Sequence, residues 1–290
     1  MKEIAFIGVG TIGNPMAKCL LRANFKVTVC DIRAEAMENL IALGAKKAKH
    51  LSECASADAV VIMVASDQQV EDVISGPEGI LEKLPAGRHP IIIIMSTVSP
   101  VTVKRMEEKC RTKGLLIADA PVSGGHIAAE CGDLSIMVGC QENVYETIKP
   151  LLSVMGKNLY HVGELGSGAI AKVCNNIVGL TGIFLTMDVL ETAVRNGIKI
   201  ETILSVIETS TGSNFATRNW DFTKKFCSHY SKDLPTAQGC LYLCVKDVEH
   251  FKEVAELSKR TSALVNHVVS AFKEIGPEYL MEHWGKLTKD

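Results

Sequence analysis

The sequence predicts a doubly wound α/β domain with a mostly parallel sheet, followed by an all-α domain entered through one long helix. Three observations lead there. Short apolar runs alternate with helical patterns through the first half, the strand-like runs stop near Gly163, and a stretch with few breakers then runs from Ser167 to Asn196. An α/β half followed by an all-α half implies two domains, expected at residues 1–164 and 165–290.

The first half supplies strands at Ile4–Ile7, Val27–Cys30, Ala59–Val64, Ile91–Met95 and Leu115–Asp119. They are apolar on both faces, as a parallel sheet covered on both sides requires. Helical patterns at Gly13–Ala23, Glu35–Leu43 and Val101–Lys113 lie between them. Leu134–Val138 and Leu159–Val162 flank a helix at Glu142–Met155 and are placed to extend the same sheet. In the long stretch Gly179 and Gly182 are the weak points, and Gly197 stops it as a helix C-terminus. Beyond it, helices are expected at Glu201–Thr209, Leu241–Lys259, Ser262–Glu274 and Glu278–Leu287, with an unusual composition between Trp220 and Gly239.

Hydrophobic residues make up 47% and charged residues 22%, which is ample for a buried core and argues against disorder. A formal net charge of -2 gives no overall attraction for nucleic acid, so none is expected as a partner. The ten cysteines include no CxxC; the closest pair, Cys240 and Cys244, stands one helical turn apart. Most lie in apolar runs, such as Cys30 and Cys140, which reads as buried free thiols with no metal site. No uncharged apolar stretch of about 18 residues stands out, so no membrane partner is expected. The chain opens MKEIAFIGVG, a strand running into a glycine turn without a signal-like segment, and a cytoplasmic (or organelle-matrix) location follows by default.

That opening turn carries the first chemical signal. Gly8-Val9-Gly10-Thr11-Ile12-Gly13 is a GxGxxG directly after a strand. Gly8 permits the tight turn, Gly10 lets backbone approach a pyrophosphate, and Gly13 allows helix to pack closely on strand. The pyrophosphate would meet the positive end of a helix opening near Thr11. Asp31 ends the next strand about 20 residues on, which completes a dinucleotide fingerprint in its proper setting. A carboxylate there binds both hydroxyls of an adenosine ribose and repels a 2′-phosphate, favouring NAD. Arg33 leaves NADP as the alternative, because a guanidinium two residues later suits a phosphate.

Asp119-Ala-Pro-Val-Ser-Gly-Gly-His126 follows the fifth predicted strand, at the carboxyl edge of the sheet where such folds bind ligands. Ser123, Gly124 and Gly125 offer a hydroxyl and approachable N–H groups, which suit a carboxylate as well as a plain turn. The third signal is Gly166-Ser-Gly-Ala-Ile-Ala-Lys172-Val-Cys-Asn175-Asn176, with Lys172 and Asn176 four apart and hence on one helix face. A lysine desolvated among Ala169, Ile170, Ala171 and Val173 is suited to acid–base work. By spacing alone, however, a lone lysine in a helix is more often a solvated surface residue.

Together these segments resemble the β-hydroxyacid dehydrogenase family, the group that includes 3-hydroxyisobutyrate dehydrogenase, tartronate semialdehyde reductase and 2-(hydroxymethyl)glutarate dehydrogenase. The resemblance covers nearly the whole chain. It rests on FIGVGTIGNPMA, DAPVSGGHIAAECGDLSIMVG, GSGAIAKVCNN and Lys246-Asp247, in that order. It implies a Rossmann domain, a helical C-terminal domain, and an active site in the cleft between them. It makes Lys172 the catalytic acid/base and gives the substrate carboxylate to Ser123, Gly124, Gly125 and Asn176. Val64, Ala65 and Gln69, after the Ala59–Val64 strand, and Thr97, after the Ile91–Met95 strand, would line the cofactor, with Lys246 reaching towards the nicotinamide. It further implies a homodimer or homotetramer acting on a small hydroxy-carboxylate.

The chain departs from the family pattern at Val64-Ala65, where Leu-Pro is usual, at Ala128 in place of glycine, and at Asp133 in place of threonine. The C-terminal end also lacks the usual proline-rich, aspartate-bearing pattern. None of these touches Lys172, but they leave the hydroxy acid undefined. His126 follows the cradle directly and could contact substrate, although a loop histidine is more often incidental. Two other readings stay open: an imine-type reductase on the same scaffold, and a non-catalytic dinucleotide-binding protein. The first usually replaces the lysine, and the second needs neither cradle nor lysine.

Overall fold

A computed structural model describes residues 1–260 and 262–288. Thr261, Lys289 and Asp290, which the predicted second domain includes, lie outside the described residues. The packing divides the chain into two compact units, Met1–Lys172 and the residues from Val173 onward.

The first unit is built on one sheet, of nine strands among the described residues. These are β1 (Glu3–Ile7), β2 (Lys26–Cys30), β3 (Lys46–Lys47), β4 (Ala59–Ile62), β5 (Ile91–Ile94), β6 (Ile117–Asp119), β7 (Val122–Ser123), β8 (Ser135–Gly139) and β9 (Asn158–Gly163). The first six run parallel in the order β3-β2-β1-β4-β5-β6. That is the strand order of dinucleotide-binding sheets, with its topological switch point between β1 and β4. The two later apolar segments do extend the sheet. β8 runs antiparallel to β6 and β7, and β9 runs parallel to β8.

Helices α1 (Gly13–Arg22), α2 (Glu38–Ala42), α3 (Asp67–Ser75), α4 (Pro100–Thr112), α5 (Gly125–Cys131) and α6 (Glu142–Met155) complete this unit, and α7 (Ser167–Arg195) leaves it. Alternating strand residues face opposite sides, which divides the core in two. Ile4 and Phe6 of β1 join Met16 and Leu20 of α1 and Ile148 and Leu152 of α6. Ala5 and Ile7 join Val70 and Ile74 of α3 and Val103 and Met106 of α4. Each such aliphatic side chain contributes about 1.5–3 kcal/mol by leaving water.

Several predicted boundaries move. The strand expected to run to Val64 ends at Ile62, while α1 opens at Gly13 as the pattern predicts. The Glu35–Leu43 helix is a 3-10 turn, Ala34–Met37, leading into α2. Two-residue β3 and β7 and helices α3 and α5 are additions.

The second unit continues α7 and adds α8 (Ile200–Glu208), α9 (Phe215–Arg218), α10 (Trp220–Tyr230), α11 (Leu234–Leu257) and α12 (Ala263–Glu274). The odd Trp220–Gly239 segment is α10 and the first turns of α11, which starts earlier than expected because Asp233 caps it, accepting the N–H of Thr236 at 2.9 Å. The last predicted helix is interrupted by a π turn at Leu280–Trp284. Phe184 of α7 packs edge-on against both Phe272 and Trp284, with ring centroids 4.7 Å apart in each case. Spanning 29 residues, α7 is long and apolar enough by length and composition to cross a membrane. Lys172 and Asp188 bracket its uncharged part, which is why no uncharged run of that length stands out in the sequence. Ile183, Phe184, Met187 and Leu190 of this helix belong to the core of the second unit.

Candidate active site

At the switch point the chain turns sharply out of β1. Gly8 has φ of 86° and donates its N–H to the Cys30 carbonyl at 2.9 Å. A Cβ at Gly8 would strike the Met63 carbonyl, and one at Gly13 would strike the carbonyl of Gly8. These close approaches let the ends of β1, β2 and β4 converge. No side chain caps α1, and its first turn holds no acid. The Asn14 N–H turns back to the Gly10 carbonyl at 3.0 Å and Pro15 has no N–H, so a phosphate at this end meets chiefly the partial positive charge of the helix start.

Asp31 is built into the same turn. Its Oδ2 accepts the N–H of Val9 at 2.8 Å and its Oδ1 accepts the N–H of Arg33 at 2.9 Å. The Arg33 guanidinium lies beside it, with Nε 3.7 Å from Oδ1, and its Nη2 would stand 3.4 Å from a Cβ placed on Gly10. Val9, Gly10, Thr11, Asn14 and Arg33 line an open cavity of ≈ 450 Å³. Bare glycine backbone and a helix start at this cavity, with the Asp31 carboxylate hydrogen-bonded to the N–H of Val9 in its wall, fit the pyrophosphate and ribose of a dinucleotide.

After β4, Val64 donates its N–H to Ser96 Oγ at 2.8 Å, and Ala65 donates to Gln69 Oε1 at 2.8 Å. Ser66 caps α3 by accepting the Gln69 N–H at 3.3 Å. Val64, Ala65 and Gln69 are thus brought together on one turn, joined by buried Ser96 to the end of β5, next to Thr97. Ser96 was not among the residues expected at the site. The Ser66–Gln69 capping spacing is a signal that could have found this turn in the sequence.

The predicted cradle is partly strand. Ser123 ends β7 opposite Ser135, Gly124 has φ of 128°, and Gly125 begins α5. A Cβ at Gly124 would lie 2.6 Å from that of Ala128, so the family departure at Ala128 leaves Gly124 no room for a side chain. His126 holds the Thr11 carbonyl through Nδ1 at 2.9 Å, tying the cradle to the glycine turn. Helix α5 is braced on α1, with Arg22 donating to the Glu130 carbonyl at 3.2 Å and Lys18 paired to the Glu130 carboxylate at 3.4 Å.

Lys172 is buried, with 8% of its surface exposed, near the start of α7. That start is held by a residue that the sequence displays only as part of a motif. Asp119, at the end of β6, accepts the N–H of Gly166 at 2.7 Å and that of Ala169 at 2.6 Å. Burial raises the Asp119 carboxyl to about 6, against the opposing pull of the two N–H donors and of Lys104.

Asn176 and Lys246 belong to the second unit, where Asp247 joins them. Asn176 donates to Asp247 Oδ2 at 2.6 Å, and the Lys246 ammonium lies 3.0 Å from Oδ1.

The sheet order, the glycine turn and the Asp31 carboxylate define a dinucleotide-binding protein with a Rossmann domain. Residues 3–163 match the family of the NAD binding domain of 6-phosphogluconate dehydrogenase. Residues 166–283 match the family described as NAD-binding of NADP-dependent 3-hydroxyisobutyrate dehydrogenase. The chain is 38% identical to 3-hydroxyisobutyrate dehydrogenase of Pseudomonas aeruginosa, over 74% of this chain and 72% of that one. It is 35% identical to the NAD-dependent L-serine dehydrogenase of the same organism, over 74% and 72%. Among solved structures it is similar to Mycobacterium tuberculosis 3-hydroxyisobutyrate dehydrogenase with L-serine, at a TM-score of 0.79 and 24% identity, covering 97% of this chain and 98% of that one. The chain belongs to the β-hydroxyacid dehydrogenase family, whose members are oxidoreductases acting on CH–OH groups with NAD(P).

Proposed function

We propose that this protein is an NAD-preferring dehydrogenase or reductase that interconverts a small β-hydroxy acid and its semialdehyde or oxo acid, with Lys172 as general acid/base. The observation that carries the reading is the burial of Lys172 in a helix whose start is hydrogen-bonded to the strand leading into Ser123, Gly124 and Gly125. A buried lysine is expensive to desolvate, and its chemical use is proton transfer. The names of the relatives, which include dehydrogenases of 3-hydroxyisobutyrate and L-serine, support the substrate class.

In this reading the Ser123 hydroxyl, the N–H groups of Gly124 and Gly125, and the Asn176 amide receive the substrate carboxylate. Fixing that end orients the alcohol carbon, and orientation of this kind is worth about 7–11 kcal/mol. Neutral Lys172 takes the hydroxyl proton during oxidation; protonated, it polarises the carbonyl and returns the proton during reduction. When bound, the nicotinamide supplies the hydride acceptor or donor. Gly8, Gly10, Thr11, Ile12, Gly13, Asp31, Val64, Ala65, Gln69, Thr97 and Lys246 hold it, with Arg33 beside the adenosine ribose. The NAD preference is supported by Asp31, whose carboxylate is pinned at the ribose position by two backbone N–H groups and would repel a 2′-phosphate. Association into a homodimer or homotetramer is part of the same proposal, supported by exposed Val178, Leu185 and Leu264 on the helical unit.

The test is nicotinamide reduction with a panel of short hydroxy acids, 3-hydroxyisobutyrate, L-serine, D-glycerate and 2-(hydroxymethyl)glutarate among them, with NAD and NADP in parallel. Turnover that disappears in Lys172→Ala supports the reading. Silence across the panel with NAD binding intact favours the non-catalytic alternative, and turnover retained in Lys172→Ala removes the lysine from the chemistry.

A further inference from the structure

We propose that Asp119 is a positioning residue for Lys172, its one buried carboxylate locking the helix that bears the lysine to the strand that leads into the Ser123–Gly125 cradle. The proposal rests on the assignment of Lys172 as acid/base.

The geometry is specific. Each oxygen of Asp119 holds a different N–H at the entry to α7, Gly166 on Oδ1 and Ala169 on Oδ2, at 2.7 and 2.6 Å. Both are at the short end of the range for N–H···O bonds, as expected when the acceptor is ionised. The first turn of a helix has N–H groups without internal partners and a partial positive charge, and a carboxylate satisfies both. Here the carboxylate comes from the sheet, 50 residues earlier in the chain than Ala169. Space is made for it by two glycines, since a Cβ at Gly139 or Gly168 would run into the Asp119 carboxylate.

What the link connects gives it a purpose beyond capping. Three residues after Ala169, about one helical turn, comes Lys172. Four residues after Asp119 comes Ser123. The route from cradle to lysine is therefore one short strand end, one carboxylate and one turn of helix, all within the first unit. A displacement at the carboxylate moves lysine relative to cradle, and misplacement of about 1 Å costs about 10²-fold in rate. A serine cap would satisfy the helix but would not join these elements.

The charged and titratable groups beside the carboxylate are Lys104 of α4 and Cys140 after β8, whose thiol burial pushes up to about 12 and which itself feels Glu142 and Glu164. Burial holds the Asp119 carboxyl at about 6.

The experiment compares wild type with Asp119→Asn in the reductive direction, carbonyl substrate with NADH, from about pH 5 to 8. In this direction the protonated lysine is the active form, so acidification does not remove it. The wild-type kcat is expected to fall as pH drops through about 6, where the carboxyl becomes protonated. In Asp119→Asn, kcat at neutral pH is expected to be about tenfold lower or worse with KM for NADH within about twofold, and the acid limb is lost. Hydrogen exchange of the Gly166 and Ala169 amides is read alongside and is expected to be about tenfold faster in the variant. A variant with wild-type kcat, an unchanged acid limb, or unchanged exchange overturns the proposal. A wild-type protein silent on every substrate counts against the functional reading, while the exchange measurement still decides for Asp119. If Asp119→Asn does not fold, wild-type exchange decides: slow exchange of both the Gly166 and the Ala169 amide is expected, and either amide exchanging at the unprotected rate overturns the link.

Discussion

Asn176 donates its side-chain amide to Asp247 at 2.6 Å, across 71 residues of sequence. The same carboxylate holds the Lys246 ammonium at 3.0 Å, and both charged side chains are largely buried. One acid thus orients two residues that the family pattern assigns to substrate and cofactor.

Replacing Asp247 by alanine should therefore loosen substrate binding before it touches chemistry. A hydrogen bond to a charged group contributes about 1.5–3 kcal/mol, so KM for the hydroxy acid should rise about tenfold or more. Steady-state kinetics of Asp247→Ala, Asn176→Ala and the double variant check this. The double variant should lose less than the sum of the two, because the partners share one interaction.

Lys172→Ala should lower kcat by about 10²–10⁴-fold, the range for loss of a general acid/base. NADH affinity, read by fluorescence titration, should stay within about twofold. A fall in affinity matching the fall in rate would place the lysine in cofactor binding instead.

Arg33 lies against the glycine turn and 3.7 Å from Asp31. If Asp31 selects NAD, Arg33→Ala should leave KM for NAD within about threefold while raising KM for NADP about tenfold, the worth of one charge-assisted phosphate contact. The ratio of the two KM values in wild type and variant is the measurement.

Asp119 also predicts a pH dependence of stability. Its folded carboxyl titrates at about 6, above the value of about 3.9 expected for an unfolded chain. Between these values the native state holds a proton that the unfolded state has released. Stability from this group is then fully present below about pH 4 and is lost as pH rises through about 6. The loss is on the order of 3 kcal/mol, because each tenfold difference in proton affinity between the folded and unfolded chain is worth about 1.4 kcal/mol. Asp119→Asn cannot ionise there, so the difference in unfolding free energy between wild type and variant should shift against wild type from pH 4 to 7. Urea titrations at the two pH values would show it.

Much of the fold was legible because strong periodic signals are local. The long α4, α6 and α7 patterns and the four-residue Ile91–Ile94 run declare themselves within their own windows. The short elements do not. β3 and β7 are two residues each and exist through pairing with β2 and β8. α5 is only seven residues long and opens on glycine, too short to declare itself by periodicity; its bracing on α1 through Glu130 holds it. The interruption at Leu280–Trp284 falls where Trp284 is buried against Phe184, a tertiary demand that the sequence pattern does not carry.

The site divides along the same line. GxGxxG followed by Asp31 is readable in the chain because the turn, the helix start and the acid are consecutive parts of one βαβ unit, and the conformation each glycine must adopt is a local property. Ser123, Gly124 and Lys172 were readable as residue types in an order. What tertiary structure alone decided is which side chains hold them in place: Ser96 for Val64, Asp119 for the helix of Lys172, and Asp247 for Asn176 and Lys246. Those partners stand 32 residues from Val64, 50 from Ala169 and 71 from Asn176. Hydrogen bonding and burial act through space, and a sequence read by spacing along the chain records them only where the fold happens to keep neighbours close.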